Sequence, residues 1–130
     1  MTGWLDGKSV VVTGGTGSFG KAFVRHALEH GVARIVVFSR DELKQSEMRA
    51  DFPDERLRFM IGTVTDEARL RRVFRGIDYV VHAAAMKQVP ACEAHPWEAL
   101  QTNTMGVQAV ASACLDVGVT RAVYLSTDKA

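Results

Sequence analysis

Residues Val10 to Gly20 read V-V-V-T-G-G-T-G-S-F-G, a β-branched run that breaks into four glycines within seven residues. A buried strand that turns through glycines into a helix is how a parallel α/β sheet presents backbone N–H groups to a phosphate. The glycines are needed because the chain must bend sharply and come close to a ligand there. This one stretch predicts both a parallel sheet and a nucleotide site.

The remainder of the chain agrees with it, because strand-like and helix-like segments alternate from end to end without a repeat or a low-complexity linker. Strands are expected at Ser9–Thr13, Arg34–Phe38, Arg58–Ile61, Tyr79–His82 and Ala122–Leu125. Each is short, apolar and largely β-branched, as strands covered on both faces are. Between them, Ser18–His30 places Phe19, Ala22, Phe23 and Leu28 at helical spacing and stops at Gly31. Asp41–Ala50 reads as a polar surface helix, with Ser39 and Glu42 spaced as a capping box. Asp66–Arg75 sets Leu70, Val73 and Phe74 on one side, and its arginines read as a solvated face. A last helix, from about Pro96 to Val117, carries Trp97, Leu100, Thr104, Val107, Ala111 and Cys114 on one face, suited to core packing or to a dimer contact. The expected architecture is a Rossmann-type doubly wound parallel sheet of about five strands, order 3-2-1-4-5, with helices on both faces. It forms one domain over 1–130.

Composition narrows the partners. Sixteen Lys and Arg against fifteen Asp and Glu leave a net charge of +1, so no global basic field points to nucleic acid or an anionic membrane. The apolar runs are too short to span a bilayer and the N-terminus lacks a signal-peptide pattern, which makes a cytoplasmic protein the expectation. Cys92 and Cys114 have no C-x-x-C and no paired histidine spacing, a pattern that argues against zinc and for two reduced thiols without chemistry.

The chemistry is expected in loops at the C-terminal ends of the strands, where ligands of open α/β sheets gather. The G-x-x-G-x-x-G of Gly14 to Gly20 follows a strand and opens a helix, the context of a dinucleotide fingerprint. The second strand ends F-S-R-D-E-L-K, with Arg40 just past its tip and Lys44 four residues on. A cation there accepts the 2′-phosphate of NADP, and NADP is the expected cofactor ahead of NAD. Asp41 reaching the ribose, or Arg40 and Lys44 pairing with Glu47, are the competing readings. The fourth strand ends V-V-H-A-A-A, small enough for a nicotinamide to lie close; His82 reads as locally hydrogen-bonded in preference to a catalytic base. Lys87 follows in a loop suited to a substrate phosphate. The last strand delivers L-S-T-D-K-A, whose Thr127, Asp128 and Lys129 offer a hydroxyl, an acid and a base, or else ordinary charges after a strand.

The segments T-G-G-T-G-S-F-G, F-S-R-D-E-L-K-Q-S-E-M-R, A-A-A-M-K-Q-V-P-A-C-E and L-S-T-D-K-A occur together and in order. Together they resemble the N-terminal part of an extended short-chain dehydrogenase/reductase of the inverting UDP-N-acetylglucosamine 4,6-dehydratase group. The resemblance implies NADP as a recycled cofactor and a UDP-linked amino sugar as substrate. It implies Gly14, Thr16, Gly17, Ser18, Phe19 and Gly20 around the pyrophosphate, and Ser39, Arg40 and Lys44 around the 2′-phosphate. Ala83, Ala84 and Ala85 then line the nicotinamide side, with Lys87 towards the substrate. In the implied reaction hydride leaves sugar C4, water is lost across C5 and C6, and hydride returns to C6. Lys129 matches the base at C5, Asp128 the acid for the C6 hydroxyl and Thr127 the partner of the 4-oxygen. A lysine titrating near ~10.4 must be brought down to serve as a base, which burial in a closed site favours.

Two departures accompany the resemblance. Gly62-Thr63-Val64 stands where the family carries G-D-V with its Asp near the adenine, so adenine recognition at Thr63 and Val64 is expected to be weaker or met differently. The family's Tyr-x-x-x-Lys pair and substrate-binding region have no counterpart in these 130 residues, which reads as a fragment unable to turn over. A UDP-sugar 4-epimerase, a 5,6-ene-forming dehydratase and a non-catalytic NADP-binding module are the alternatives. The last strand, interior in pattern, is left as an edge, from which oligomer formation is expected.

Overall fold

The computed structural model describes residues 3–14, 17–83 and 108–124. The run Ser9–Thr13 forms β1, and it lies at the centre of a five-stranded parallel sheet ordered β3-β2-β1-β4-β5. Its neighbours are β2 (Arg34–Ser39) and β4 (Tyr79–His82), with β3 (Leu57–Ile61) and β5 (Arg121–Tyr124) outside them. Thr13 at the end of β1 lies opposite Phe38 on one side and His82 on the other. The expected strand order is therefore the observed one.

Alternation along each strand divides the core into two layers. Val10, Val12, Ile35, Val37 and Val81 face α1 (Ser18–Glu29) and α2 (Glu42–Asp51), packing with Val24, Ala27 and Met48. Val11, Val36, Phe38 and Val80 face the other way, towards α3 (Glu67–Phe74) and a helical stretch at residues 108–117. That second layer buries Leu70, Phe74, Val110, Ala113 and Cys114. The last helix thus turns Ala109, Ala113 and Cys114 into the core, while Leu115 stays exposed. Its earlier residues, including Trp97, Leu100, Gly106 and Val107, lie outside the described residues, as does Cys92.

Several boundaries depart from the sequence expectation. Strand β2 runs one residue further, through Ser39, because Ser39 pairs with Ile61 of β3. The cap of α2 is consequently Asp41, whose Oδ1 accepts from Lys44 N at 3.0 Å, and the Ser39/Glu42 capping box does not form. Helix α1 ends at Glu29, with His30 as its C-cap. Beyond α2, Arg56 ties the end of α1 to the start of β3: it forms a fork with Asp54 and donates to Leu28 O at 3.1 Å and Val32 O at 3.2 Å.

Candidate functional site

The strand ends bring the glycine turn to one edge of the sheet. Gly14 adopts φ 71°, the left-handed region, and its N–H donates to Phe38 O at 2.8 Å. The Ala83 N–H donates to Thr13 O at 3.0 Å, and the Gly62 N–H to Ser39 O at 3.0 Å. The ladder therefore continues one residue past each strand, fixing Gly14, Ser39, Gly62 and Ala83 along a common C-terminal edge. Gly62 has no room for a side chain, since a Cβ there would sit 2.6 Å from the Phe38 ring.

Gly17 is the N-cap of α1, with Ser18 and Phe19 exposed behind it and Gly20 buried against the sheet. The first turn of α1 carries no acidic residue and its N-cap makes no side-chain hydrogen bond, so the helix start and the positive end of its dipole have no side-chain cap. By contrast α2 and α3 are closed by Asp41 and Asp66, each with a glutamate in the first turn. This chemistry suits an anion at α1, and the uncapped helix start at Gly17 fits the pyrophosphate of a dinucleotide.

At the tip of β2 the side chains divide their work. Ser39 is buried, and its Oγ accepts from Gln45 Nε2 at 3.0 Å; the same amide donates to Met60 O at 2.9 Å. Gln45 therefore holds the ends of β2 and β3 together, a role the sequence reading missed because one glutamine in a polar helix gives no signal. Arg40 and Lys44 are exposed, and neither makes an ion pair among the described residues, Glu47 included. Arg40 precedes the cap, so helical spacing does not relate it to Lys44. Asp41 spends one carboxylate oxygen on the helix cap.

After β3, the Thr63 hydroxyl lies 3.1 Å from that of Thr65 and accepts from the Thr65 N–H at 3.3 Å, closing a local turn. Val64 packs against the second core layer. Arg69 donates to Ile61 O at 3.3 Å, beside this loop. On α3, Arg71 pairs with Glu67 and Asp116, consistent with a solvated charged face, and Ser112 donates to Glu67.

His82 is buried and shares a 2.6 Å hydrogen bond between its Nδ1 and Thr13 Oγ1. Burial lowers its pKa, favouring the neutral ring. The local hydrogen bond anticipated for it is therefore present. Ala83 lies buried next to it. Thr16, Ala84, Ala85, Lys87, Thr127, Asp128 and Lys129 lie outside the described residues. Of the expected site, the described residues thus comprise Gly14, Gly17 to Gly20, Ser39, Arg40, Lys44, Thr63, Val64 and Ala83.

The polysaccharide biosynthesis protein family matches residues 10–130. The chain is 48% identical over 127 residues to a UDP-N-acetylglucosamine 4,6-dehydratase (inverting) from Campylobacter jejuni, covering 97% of this chain and 38% of that protein. It is 46% identical to a UDP-glucose 4-epimerase from Rickettsia conorii, covering 95% of this chain and 37% of that one. Among solved structures, a dTDP-glucose 4,6-dehydratase from Streptomyces venezuelae with NAD bound aligns with TM-score 0.76 and 31% identity, covering 88% of this chain and 38% of that one. The chain spans less than two fifths of the length of these relatives.

Proposed function

The chain belongs to the polysaccharide biosynthesis protein family, and from that membership we propose that it is the dinucleotide-binding part of an NADP-dependent UDP-N-acetylglucosamine 4,6-dehydratase. The observation that carries the reading is the acid-free N-terminus of α1 behind a glycine turn, with two exposed cations, Arg40 and Lys44, past the neighbouring strand end. The N–H groups of the turn and of Gly17 to Gly20 hold the pyrophosphate. Arg40 and Lys44 take the 2′-phosphate, with the buried Ser39 fixing the strand tip that Arg40 follows. Thr63 and Val64 flank adenine, and Ala83 to Ala85 leave room for the nicotinamide.

When bound, the cofactor supplies hydride acceptance from the sugar and its return. The chain's own contribution is to orient and to move protons. Thr127 hydrogen-bonds the sugar 4-oxygen, Lys129 removes the C5 proton made acidic by the 4-keto group, and Asp128 protonates the departing C6 hydroxyl. Lys87 meets a phosphate of the UDP-linked amino sugar. The identity to the dehydratase favours this reading; the 46% identity to the epimerase supports a UDP-sugar 4-epimerase as the second. Their products separate them, a 4-keto-6-deoxy sugar in one case and the 4-epimer in the other.

The cofactor assignment is tested by titrating the chain with NADPH and NADH. NADPH is expected to bind more tightly, and Arg40→Ala to weaken it about 10- to 100-fold, the value of one charge-assisted hydrogen bond, while leaving NADH unchanged. An unchanged preference in the variant removes Arg40 from the site and with it the NADP assignment.

A further inference from the structure

The far end of α1 presents a second arrangement of polar groups. His26 and His30 stand one helical turn apart, both exposed, with ring centroids 4.0 Å apart and planes inclined by 26°. The backbone N–H of His30 bonds to Ala27 O at 3.1 Å, which leaves the His26 carbonyl without the usual partner four residues on. That carbonyl is met instead by the His30 ring, through Nδ1 at 2.7 Å. A carbonyl oxygen can only accept, so Nδ1 carries the proton and, in the neutral ring, Nε2 keeps its lone pair. An imidazole anchored by one N–H to a backbone carbonyl, with the other nitrogen available, is the arrangement found in metal-ligating histidines.

The second imidazole is supplied by the helix itself, because residues at i and i+4 lie on one face; the two rings are stacked with nearly parallel planes, so the exposed His26 ring must turn about its side-chain bonds to aim its lone pair at an ion held by His30 Nε2. Helical zinc motifs present two ligands to one ion with this spacing. The negative end of the α1 dipole adds a modest attraction for a cation. We propose that His26 and His30 form a surface site for a divalent transition ion of the zinc class, Zn2+ or Ni2+, with water completing its coordination. Among the described residues no third His, Cys, Asp or Glu converges with them, so the site is open and binds less tightly than a four-ligand structural site. The residues run His26-Ala27-Leu28-Glu29-His30, matching the H-x-x-E-H spacing of one class of zinc peptidase. Without a third ligand, no hydrolytic role follows. The site lies at the opposite end of α1 from the glycine turn, about 18 Å along the helix, and does not depend on the cofactor assignment.

Calorimetric titration of the chain with zinc chloride, and separately with nickel chloride, tests this. One saturable site is expected, weakened at least tenfold in His26→Ala and in His30→Ala. Zinc should also raise the melting temperature of the parent chain and of neither variant, since an ion held only by the folded helix stabilises it. His26→Ala retains the backbone carbonyl to which His30 bonds, so the last turn of α1 keeps its cap and loss of the ion there reads chelation alone. Absence of saturable binding overturns the proposal, and so does unchanged affinity in His26→Ala, which locates the ion elsewhere.

Discussion

Cys114 shows how far one side chain's chemistry is set by where the fold puts it. It packs in the layer of Val11, Phe74 and Val110, and burial pushes its pKa up to about 11. Since the thiolate is the nucleophile, its population at pH 8 falls about 100-fold relative to a thiol of pKa 9.0. A Cys92→Ser variant is therefore expected to react with a disulfide reagent at least about 100-fold more slowly when native than when unfolded in urea. Equal rates would show Cys114 to be accessible. The expectation of a reduced thiol agrees with this buried, free cysteine. His82 was equally readable, because a polar residue ending a buried strand needs a neighbour and Thr13 is the one that register supplies. The stacking of His26 and His30 was not read from the sequence, although their spacing along an expected helix was the available signal.

At the scale of elements, strands were more legible than helix ends. Continuous apolar runs such as Val10–Val12 and Ile35–Phe38 are what strands buried on both faces require, and their places in the chain follow. Helix starts depend on which of several polar residues reaches an N–H. The Ser39/Glu42 spacing satisfied the capping pattern, but strand pairing claimed Ser39 and Gln45 engaged its hydroxyl, leaving Asp41 to cap α2. Aspartate caps are consequently what hold α2 and α3 at their starts. Asp66 Oδ1 accepts from Arg69 N at 3.1 Å, and Asp66→Ala is expected to cost about 1 kcal/mol, read as a lower urea midpoint with an unchanged slope. A loss below a few tenths of a kcal/mol would mean that the core contacts of Leu70 and Phe74 alone hold the helix start. The contrast with α1, whose start is left to a glycine, is what makes its N-terminus the anion site of the proposed function.

Across the whole molecule, the tie between the end of α1 and the start of β3 is electrostatic as well as apolar, and acid should expose it. Asp54 is held down to about pKa 2 from 3.8, first by the side-chain hydrogen bond from Arg56 and then by the Arg56 backbone N–H. Its ionised form is thus preferred in the folded state, and its contribution is present above pH 3.8 and lost as pH falls towards 2. Because both partners are partly exposed, about 1 kcal/mol is the expected size once solvent screening is included. His82 acts in the same direction at higher pH. Its ring is buried neutral with a pKa below 6.5, so the unfolded chain takes up the proton first and stability declines as pH drops below 6.5. Urea midpoints measured from pH 8 downward should therefore fall in two stages, one beginning near pH 6.5 and one below about pH 4. Asp54→Asn should flatten the lower stage and leave the upper one in place, whereas His82→Asn should do the reverse. Because Arg56 also holds Leu28 O and Val32 O, Arg56→Ala should lower the midpoint at every pH, by more than Asp54→Asn does above pH 5. If Asp54→Asn keeps the full acid dependence of the parent chain, the lower stage belongs to other carboxylates and the fork between Asp54 and Arg56 contributes geometry alone.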